Sequence, residues 1–213
     1  NPQIQNQLVA WQGQVDKEDD EIFLTQVRTN APVEITSCTY PALQAALAQS
    51  RSLKFACDGT IIVVPELVIS QDTVLDATGR NVTLSGNQTN RVLEVNPGVR
   101  LELNNIMVAK GLTDRGGGIF NAGTLTLINS AVANNSATTS GWKQGGGIFN
   151  ETGATLTVNH STLSGNVAGY SGGGISNWGT VIITESTLSN NSAPLQYGYG
   201  GGIRNYGGPV TIT

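Results

Sequence analysis

From residue 116 onward, apolar residues fall in three short segments per repeat, and glycines and small polar residues separate the segments. Each repeat is marked by the sextet Gly-Gly-Gly-Ile-x-Asn, which begins at Gly116, Gly145, Gly172 and Gly200, at offsets of 29, 27 and 28 residues. Repeats of this length are typical of solenoids, in which each unit buries its apolar face against the next unit. The pattern therefore predicts a stacked architecture.

The three apolar segments have the length and the alternation of short strands. The first segment holds the isoleucine of each sextet: Ile119, Ile148, Ile175 and Ile203. The second segment holds the alternating pairs Leu125/Leu127, Leu156/Val158, Val181/Ile183 and Val210/Ile212, and the third holds Val132, Leu163 and Leu188. Three strands per turn with one apolar face predict an all-β fold, a parallel β-helix. Its rungs are spaced by about 4.8 Å, and the isoleucines are expected to form one core column.

The polar residues of the sextet also keep a constant register. One set is Asn121, Asn150, Asn177 and Asn205, and a second set is Asn135, Asn166 and Asn191. Stacked side-chain amides can hydrogen bond along such a column, and asparagine tolerates the left-handed backbone of a corner. Glycines suit positions where a Cβ would collide with a corner or a neighbouring rung. We therefore interpret the sextet as a corner and a rung, and not as a glycine-rich binding loop.

Upstream of the regular repeats, the pattern divides the chain into three parts. Residues 61–115 carry short apolar clusters between Gly, Asn, Asp and Pro residues and predict irregular early rungs, which the regular rungs of residues 116–213 continue. Residues 38–60 predict a helical cap, with a helix from Pro41 to Ser50 that covers the first rung and its strand edge. Residues 1–37 do not match the repeat and predict an extended arm.

The arm carries scattered apolar residues, among them Ile4, Leu8 and Trp11, followed by an acidic run that we interpret as solvated surface. Two interpretations of the arm remain open. It folds along its own solenoid, or it is a strand lent to a neighbouring subunit, as strand addition permits.

Cys38 and Cys57 flank the predicted helix. A disulfide between them would close a loop of about 20 residues and stabilise the fold by about 3 kcal/mol. Disulfides of this kind are typical of exported proteins. The alternative is two buried free thiols.

Composition narrows the function classes. Charged residues make up 12% of the chain, which excludes charge-rich disorder, and the net charge of -4 comes without a basic stripe, so nucleic acid is not expected as a partner. No run of about 18 apolar residues is present, so no membrane span is expected. The single histidine, His160, and the lack of a Cys-x-x-Cys pair leave no zinc ligand set, so we expect no metal and no cofactor.

The Gly-Gly-Gly-Ile-x-Asn repeat, followed by Thr-Leu-Thr-Leu-Ile-Asn-Ser and Asn-Asn-Ser-Ala, resembles the right-handed β-helix repeats of bacterial surface and secreted proteins, including polymorphic outer-membrane-type passengers. The stretch Cys38 to Leu47 and the run from Cys57 to Thr60 are similar to an N-terminal cap named for a Cys-Ser-Leu-Arg-Glu-Ala motif, although Gln44-Ala45 replaces its Arg-Glu pair. The resemblance implies a right-handed β-helix and an exported protein, at the cell surface or outside the cell. Such repeats specify a fold rather than an activity.

An enzyme is the rival class, because pectin-degrading enzymes also use parallel β-helices. Glycoside hydrolysis needs two carboxylates on one surface, and the regular repeats contain only Glu151 and Glu185, at non-equivalent positions. A lyase needs clustered acids for calcium and a base, and only Lys143 and Arg204 are available there. We therefore expect no catalytic residues.

Two surface features have alternative interpretations. Outward threonines of the second strand could bind ice or a crystalline polymer, or they are ordinary exposed strand residues. Aromatic residues near the corners could stack on surface glycans, pack between loops or contact another subunit; they are Trp142, Tyr170, Trp178, Tyr197, Tyr199 and Tyr206.

No capping element follows Val210 and Ile212, so we expect either that the chain continues or that another copy stacks there. The predicted subunit contacts are Ile4, Leu8, Trp11, Val210 and Ile212. Head-to-tail contacts that do not close a ring produce filaments. We expect a non-catalytic extracellular structural protein whose copies polymerise head-to-tail into a surface filament. The alternatives are a monomeric β-helical adhesin or autotransporter-like passenger, and a polysaccharide-binding or pectin-lyase-like carbohydrate-active protein.

Overall fold

The computed structural model describes residues 31–194 and 198–213. Within these ranges the chain forms one helix, α1 (Tyr40–Gln49), and a succession of short strands. The strands up to residue 115 are β1 (Val33–Ile35), β2 (Ser52–Phe55), β3 (Gly59–Ile62), β4 (Leu67–Ile69), β5 (Thr73–Asp76), β6 (Val82–Ser85), β7 (Leu93–Val95), β8 (Arg100–Asn104), β9 (Ile106–Ala109) and β10 (Leu112–Thr113). The strands of the regular repeats are β11 (Ile119–Asn121), β12 (Thr124–Ile128), β13 (Ala131–Ala133), β14 (Ser136–Ala137), β15 (Ile148–Asn150), β16 (Thr155–Asn159), β17 (Thr162–Ser164), β18 (Val167–Ala168), β19 (Ile175–Asn177), β20 (Thr180–Thr184), β21 (Thr187–Ser189), β22 (Ile203–Asn205) and β23 (Val210–Ile212).

These strands stack in parallel sheets that run along a solenoid of about six turns. Sheet A has the order β4-β7-β11-β15-β19-β22, sheet B has the order β1-β2-β5-β8-β12-β16-β20-β23, and sheet C has the order β3-β6-β9-β13-β17-β21. The predicted all-β parallel β-helix is confirmed. A short fourth sheet, β10-β14-β18, was not predicted, because strands of two residues carry no alternation to recognise.

The core lies between the sheets and is built from columns of equivalent residues. Ile119 pairs with Ile148, Ile148 with Ile175 and Ile175 with Ile203, one position per rung. The first three isoleucines are fully buried, and Ile203 packs against the core from a partly buried position. Because each rung repeats the same apolar face, burial continues from turn to turn along the axis.

The start of the β-helix lies earlier than the sequence suggests. Val33–Ile35, which the sequence analysis assigns to the arm, pairs with Leu53 to Phe55 as the first strand of sheet B. The arm residues Ile4, Leu8 and Trp11 lie outside the described ranges. Helix α1 begins and ends one residue before the predicted bounds.

The cap is tied to the β-helix by α1 and by a disulfide. Leu43 and Ala46 of α1 are buried in the same apolar cluster as the strands. Cys38 and Cys57 form a disulfide with a Cα–Cα distance of 5.7 Å, so the predicted bridge is confirmed and the alternative of two free thiols is excluded. No helix in the described residues is long and apolar enough to cross a membrane.

The left-handed corners do not lie at the asparagines of the two sets. Positive φ angles occur one residue after the strands of sheet B, as at Asn105 (57°) and Asn129 (49°), and one residue after those of sheet C, as at Asn134 (55°). None of the seven predicted ladder asparagines has a positive φ. The suggestion that a corner conformation selects them is therefore wrong, and their side-chain contacts account for them instead.

Candidate functional site: an aromatic and arginine strip on sheet A

The asparagines of the sextets form a continuous column of hydrogen bonds. The amide of Asn121 donates to the side-chain oxygen of Asn150 at 2.7 Å, Asn150 donates to Asn177 at 2.8 Å, and Asn177 donates to Asn205 at 2.9 Å. The first three side chains are buried, and Asn205 is exposed. Buried polar groups of this kind stabilise a fold only when they are hydrogen bonded. We therefore interpret the column as a structural element, because its side-chain amides hydrogen bond to one another.

Two further polar columns run parallel to it. Asn135 donates to Asn166 at 3.0 Å, and Asn166 donates to Asn191 at 2.9 Å. A serine column was not predicted: the backbone N–H of Ser130 donates to the hydroxyl of Ser161 at 3.0 Å, and the N–H of Ser161 donates to the next serine. The constant register of these serines before the third strand was the available sequence signal.

The outer side of sheet A carries a strip of aromatic and arginine side chains, here called the sheet A strip. Its members are Arg91, Glu94, Arg115, Phe120, Phe149, Ser176, Trp178, Tyr199, Arg204 and Tyr206. In the central column, Glu94, Phe120, Phe149, Ser176 and Arg204 follow one another in register over five rungs. A second column runs beside it, in which Arg115 pairs with Gln144, Gln144 with Ser171, and Ser171 with Tyr199.

At one end of the strip, two phenylalanines lie between arginines. The rings of Phe120 and Phe149 stack with centroids 5.4 Å apart and planes 11° apart. The Cζ of Arg115 lies 5.6 Å and 5.4 Å from the two ring centroids, and the Cζ of Arg91 lies 5.1 Å from that of Phe120. Cations over aromatic faces are attracted by the ring quadrupole.

The arginines of the strip differ in how their charge is neutralised. The Nη1 of Arg91 lies 2.8 Å from a carboxylate oxygen of Glu66 and 2.7 Å from one of Glu94. Among the residues that the structure describes, no carboxylate lies within 4 Å of Arg115 or Arg204. The strip therefore holds one paired arginine and two whose charge has no acidic partner in those ranges.

At the other end of the strip, the rings are tyrosines and a tryptophan. Trp178 and Tyr206 stack with centroids 4.2 Å apart and planes 5° apart. The hydroxyl of Tyr206 lies 2.8 Å from that of Ser171 and accepts a hydrogen bond from the amide of Gln144 at 3.0 Å. The Cζ of Arg204 lies 4.8 Å from the ring of Tyr199 and 5.0 Å from that of Tyr206.

Three buried polar atoms of the strip have no hydrogen-bond partner in residues 31–194 and 198–213: the hydroxyl of Ser176 and the Nε atoms of Arg115 and Arg204. Ser176 is fully buried in the central column. Unpartnered buried polar groups are uncommon in folded proteins and cost free energy.

The structure brings only part of the predicted aromatic set into the strip. Trp178, Tyr199 and Tyr206 belong to it, and Tyr170 contacts its edge through Tyr199. Trp142 is 67% exposed and does not take part, and Tyr197 lies outside the described ranges. Sequence reasoning did not single out Phe120 or Phe149 and considered Arg204 only as a possible base. The available signal was the residue after each sextet isoleucine, where Phe, Phe, Ser and Arg follow one another.

The remaining predicted sites lie away from the strip. Val210 is partly exposed and Ile212 is 65% exposed on the last strand of sheet B. Within the described ranges, no three His, Cys, Asp or Glu side chains lie close enough together to hold a metal ion. In the cap, the backbone N–H of Asn81 lowers the pKa of the Asp58 carboxyl, with a smaller contribution from Arg80.

Comparison with known proteins identified no similar protein. No protein-family model matches the chain, and neither a curated protein nor a solved structure matches it significantly.

Proposed function

We propose that the protein is a non-catalytic structural protein that lies outside the cell or at the cell surface. Its copies join head to tail by stacking one β-helix on the next. The observation that carries this proposal is the repetition of one rung. From β11 to β22 the strands of sheet A pair residue for residue, with asparagine on asparagine and isoleucine on isoleucine. A surface that binds a rung of its own kind can bind the same rung in a second copy.

An exported location is supported by two features. The disulfide between Cys38 and Cys57 is compatible with an oxidising compartment. The resemblance of the repeats and of the cap to right-handed β-helical surface and secreted proteins, stated above from the sequence, favours the same location. On this proposal, the arm residues Ile4, Leu8 and Trp11 bridge to the neighbouring copy.

A single methyl group can test stacking without disturbing the core. A Cβ added at Gly174 would lie 2.6 Å from the carbonyl oxygen of Gly202 in the next rung, whereas a Cβ at Gly202 meets nothing within 4 Å. In a stack, the incoming rung would bring its backbone to Gly202. Gly202→Ala should therefore fold normally and stack poorly, and Gly207→Ala, also in open space, serves as the matched control.

The measurement is sedimentation velocity at rising protein concentration, with negative-stain electron microscopy of the same samples. The unmodified chain and Gly207→Ala should form rods several β-helices long, and Gly202→Ala should remain shorter. A chain that stays monomeric at every concentration, or a Gly202→Ala variant that assembles as well as the control, would contradict the proposal.

A further inference from the structure

We propose that the sheet A strip binds an acidic polysaccharide lengthwise. This role does not depend on stacking between copies, because all the groups involved lie on one chain. The ligand is defined by chemistry: a linear polymer of sugar rings that carry carboxylate or sulfate groups.

The charge of the strip favours an anion. Arg115 and Arg204 have no carboxylate within 4 Å in the described residues, although the whole chain carries a net charge of -4. The planar guanidinium group donates two parallel hydrogen bonds to a carboxylate or a sulfate. The Nε of each arginine is buried, so the terminal nitrogens of the guanidinium groups would make these bonds.

The aromatic rings favour a sugar as the carrier of the negative charge. Trp178 is 37% exposed and stacks on Tyr206, and Tyr199 is 46% exposed beside Arg204. Aromatic faces with polar tips offer apolar contact area and a hydroxyl at the same place. A sugar ring needs both, because its C–H groups form an apolar face and its hydroxyls form a polar rim.

The spacing favours a polymer over a single sugar. Arg115 precedes β11 and Arg204 lies in β22, which is three rungs further along sheet A, so their backbones are about 14 Å apart along the axis. Between them, Phe149 and Ser176 of the central column are buried, so a ligand would contact the strip through the residues that flank them. A chain that follows the strip would meet Arg115 at one end, and Arg204 with the exposed rings of Trp178 and Tyr199 at the other end.

The test measures binding to immobilised polygalacturonate by biolayer interferometry. Fully methyl-esterified pectin has the same sugars without the charge and serves as the matched ligand, and dextran sulfate tests sulfate as the source of the anion. Arg204→Gln and Arg115→Gln should each weaken binding about tenfold, since each removes a charge-assisted contact. Arg100→Gln, an exposed arginine of sheet B, is the control variant and should bind normally. Circular dichroism of each variant verifies its fold.

Binding to polygalacturonate or to dextran sulfate that falls with salt and with loss of Arg204 supports the proposal, and the preferred probe identifies the anionic group. Equal binding to the methyl ester, equal loss in Arg100→Gln, or no binding to either anionic polymer would overturn it. Because Arg204 is partly exposed in the last described turn, Arg204→Gln keeps the test decisive if Arg115→Gln fails to fold.

Discussion

Replacing Asn150 by alanine should reveal how much the asparagine column contributes to stability. Asn150 is fully buried in the middle of the column. Its amide donates to the side chain of Asn177 at 2.8 Å and to the carbonyl of Thr180 at 3.1 Å, and its oxygen accepts from Asn121 at 2.7 Å. The substitution removes these three hydrogen bonds and leaves a small cavity.

The expected loss follows from these contacts. A typical intramolecular hydrogen bond contributes about 1 kcal/mol net, so Asn150→Ala should lower the free energy of unfolding by about 3 kcal/mol. Groups left unpaired in the interior can raise this cost. Asn205→Ala, in the exposed last position of the column, removes bonds to Asn177 and to Gly208 and should cost about 1 kcal/mol or less.

Ser176→Ala is the second control. Ser176 is as buried as Asn150 and lies in the same sheet, but its hydroxyl has no hydrogen-bond partner in the described residues. Its removal should cost almost nothing or stabilise slightly, because no hydrogen bond is lost.

The assay is urea unfolding followed by tryptophan fluorescence and by far-ultraviolet circular dichroism. Coincident transitions from the two probes justify a two-state free energy for each variant. If Asn150→Ala lost no more stability than Asn205→Ala and Ser176→Ala, the column would not stabilise the fold, and the asparagines would need another explanation.

Three further predictions concern the cap and the rungs. The double variant Cys38→Ala/Cys57→Ala should have a free energy of unfolding about 3 kcal/mol lower than that of the unmodified chain. Both proteins are unfolded with urea in the absence of reductant, so that the unmodified chain keeps its disulfide. Gly174→Ala should destabilise by more than about 2 kcal/mol and Gly202→Ala by less than about 1 kcal/mol in thermal melts, because only the former methyl meets backbone of the next rung, at 2.6 Å; equal losses would refute the close rung contact. The pKa of Asp58 is lowered from its ordinary value of 3.8. The ionised Asp58 carboxylate therefore contributes fully to stability above pH 3.8, and this contribution is lost as the pH falls through the folded-state pKa. Asp58→Asn, which keeps an acceptor for the N–H of Asn81, should therefore lose less stability than the unmodified chain between about pH 5 and pH 2 in urea titrations.

The sequence by itself determines the features that burial repeats at every turn. The isoleucine at each sextet and the alternating second strand recur because each rung must cover the same apolar face of its neighbour. Sheets A, B and C could therefore be predicted, and so could the helix over the first rung. The disulfide was predictable only as one of two alternatives, since spacing along the chain does not fix the distance between two cysteines.

Only the tertiary structure decides which outward-facing residues meet. Arg91, Phe120 and Phe149 lie at intervals of 29 residues in sequence and become neighbours, together with Arg115, because successive turns place their positions side by side. Outward side chains carry no burial pattern, so their contacts depend on the register between rungs and on the length of each corner. The short fourth sheet and the residues with positive φ angles lie between the strands of sheets A, B and C, where the sequence carries no alternation. The core of this protein is thus determined by periodic burial, and the sheet A strip by the three-dimensional register that this burial produces.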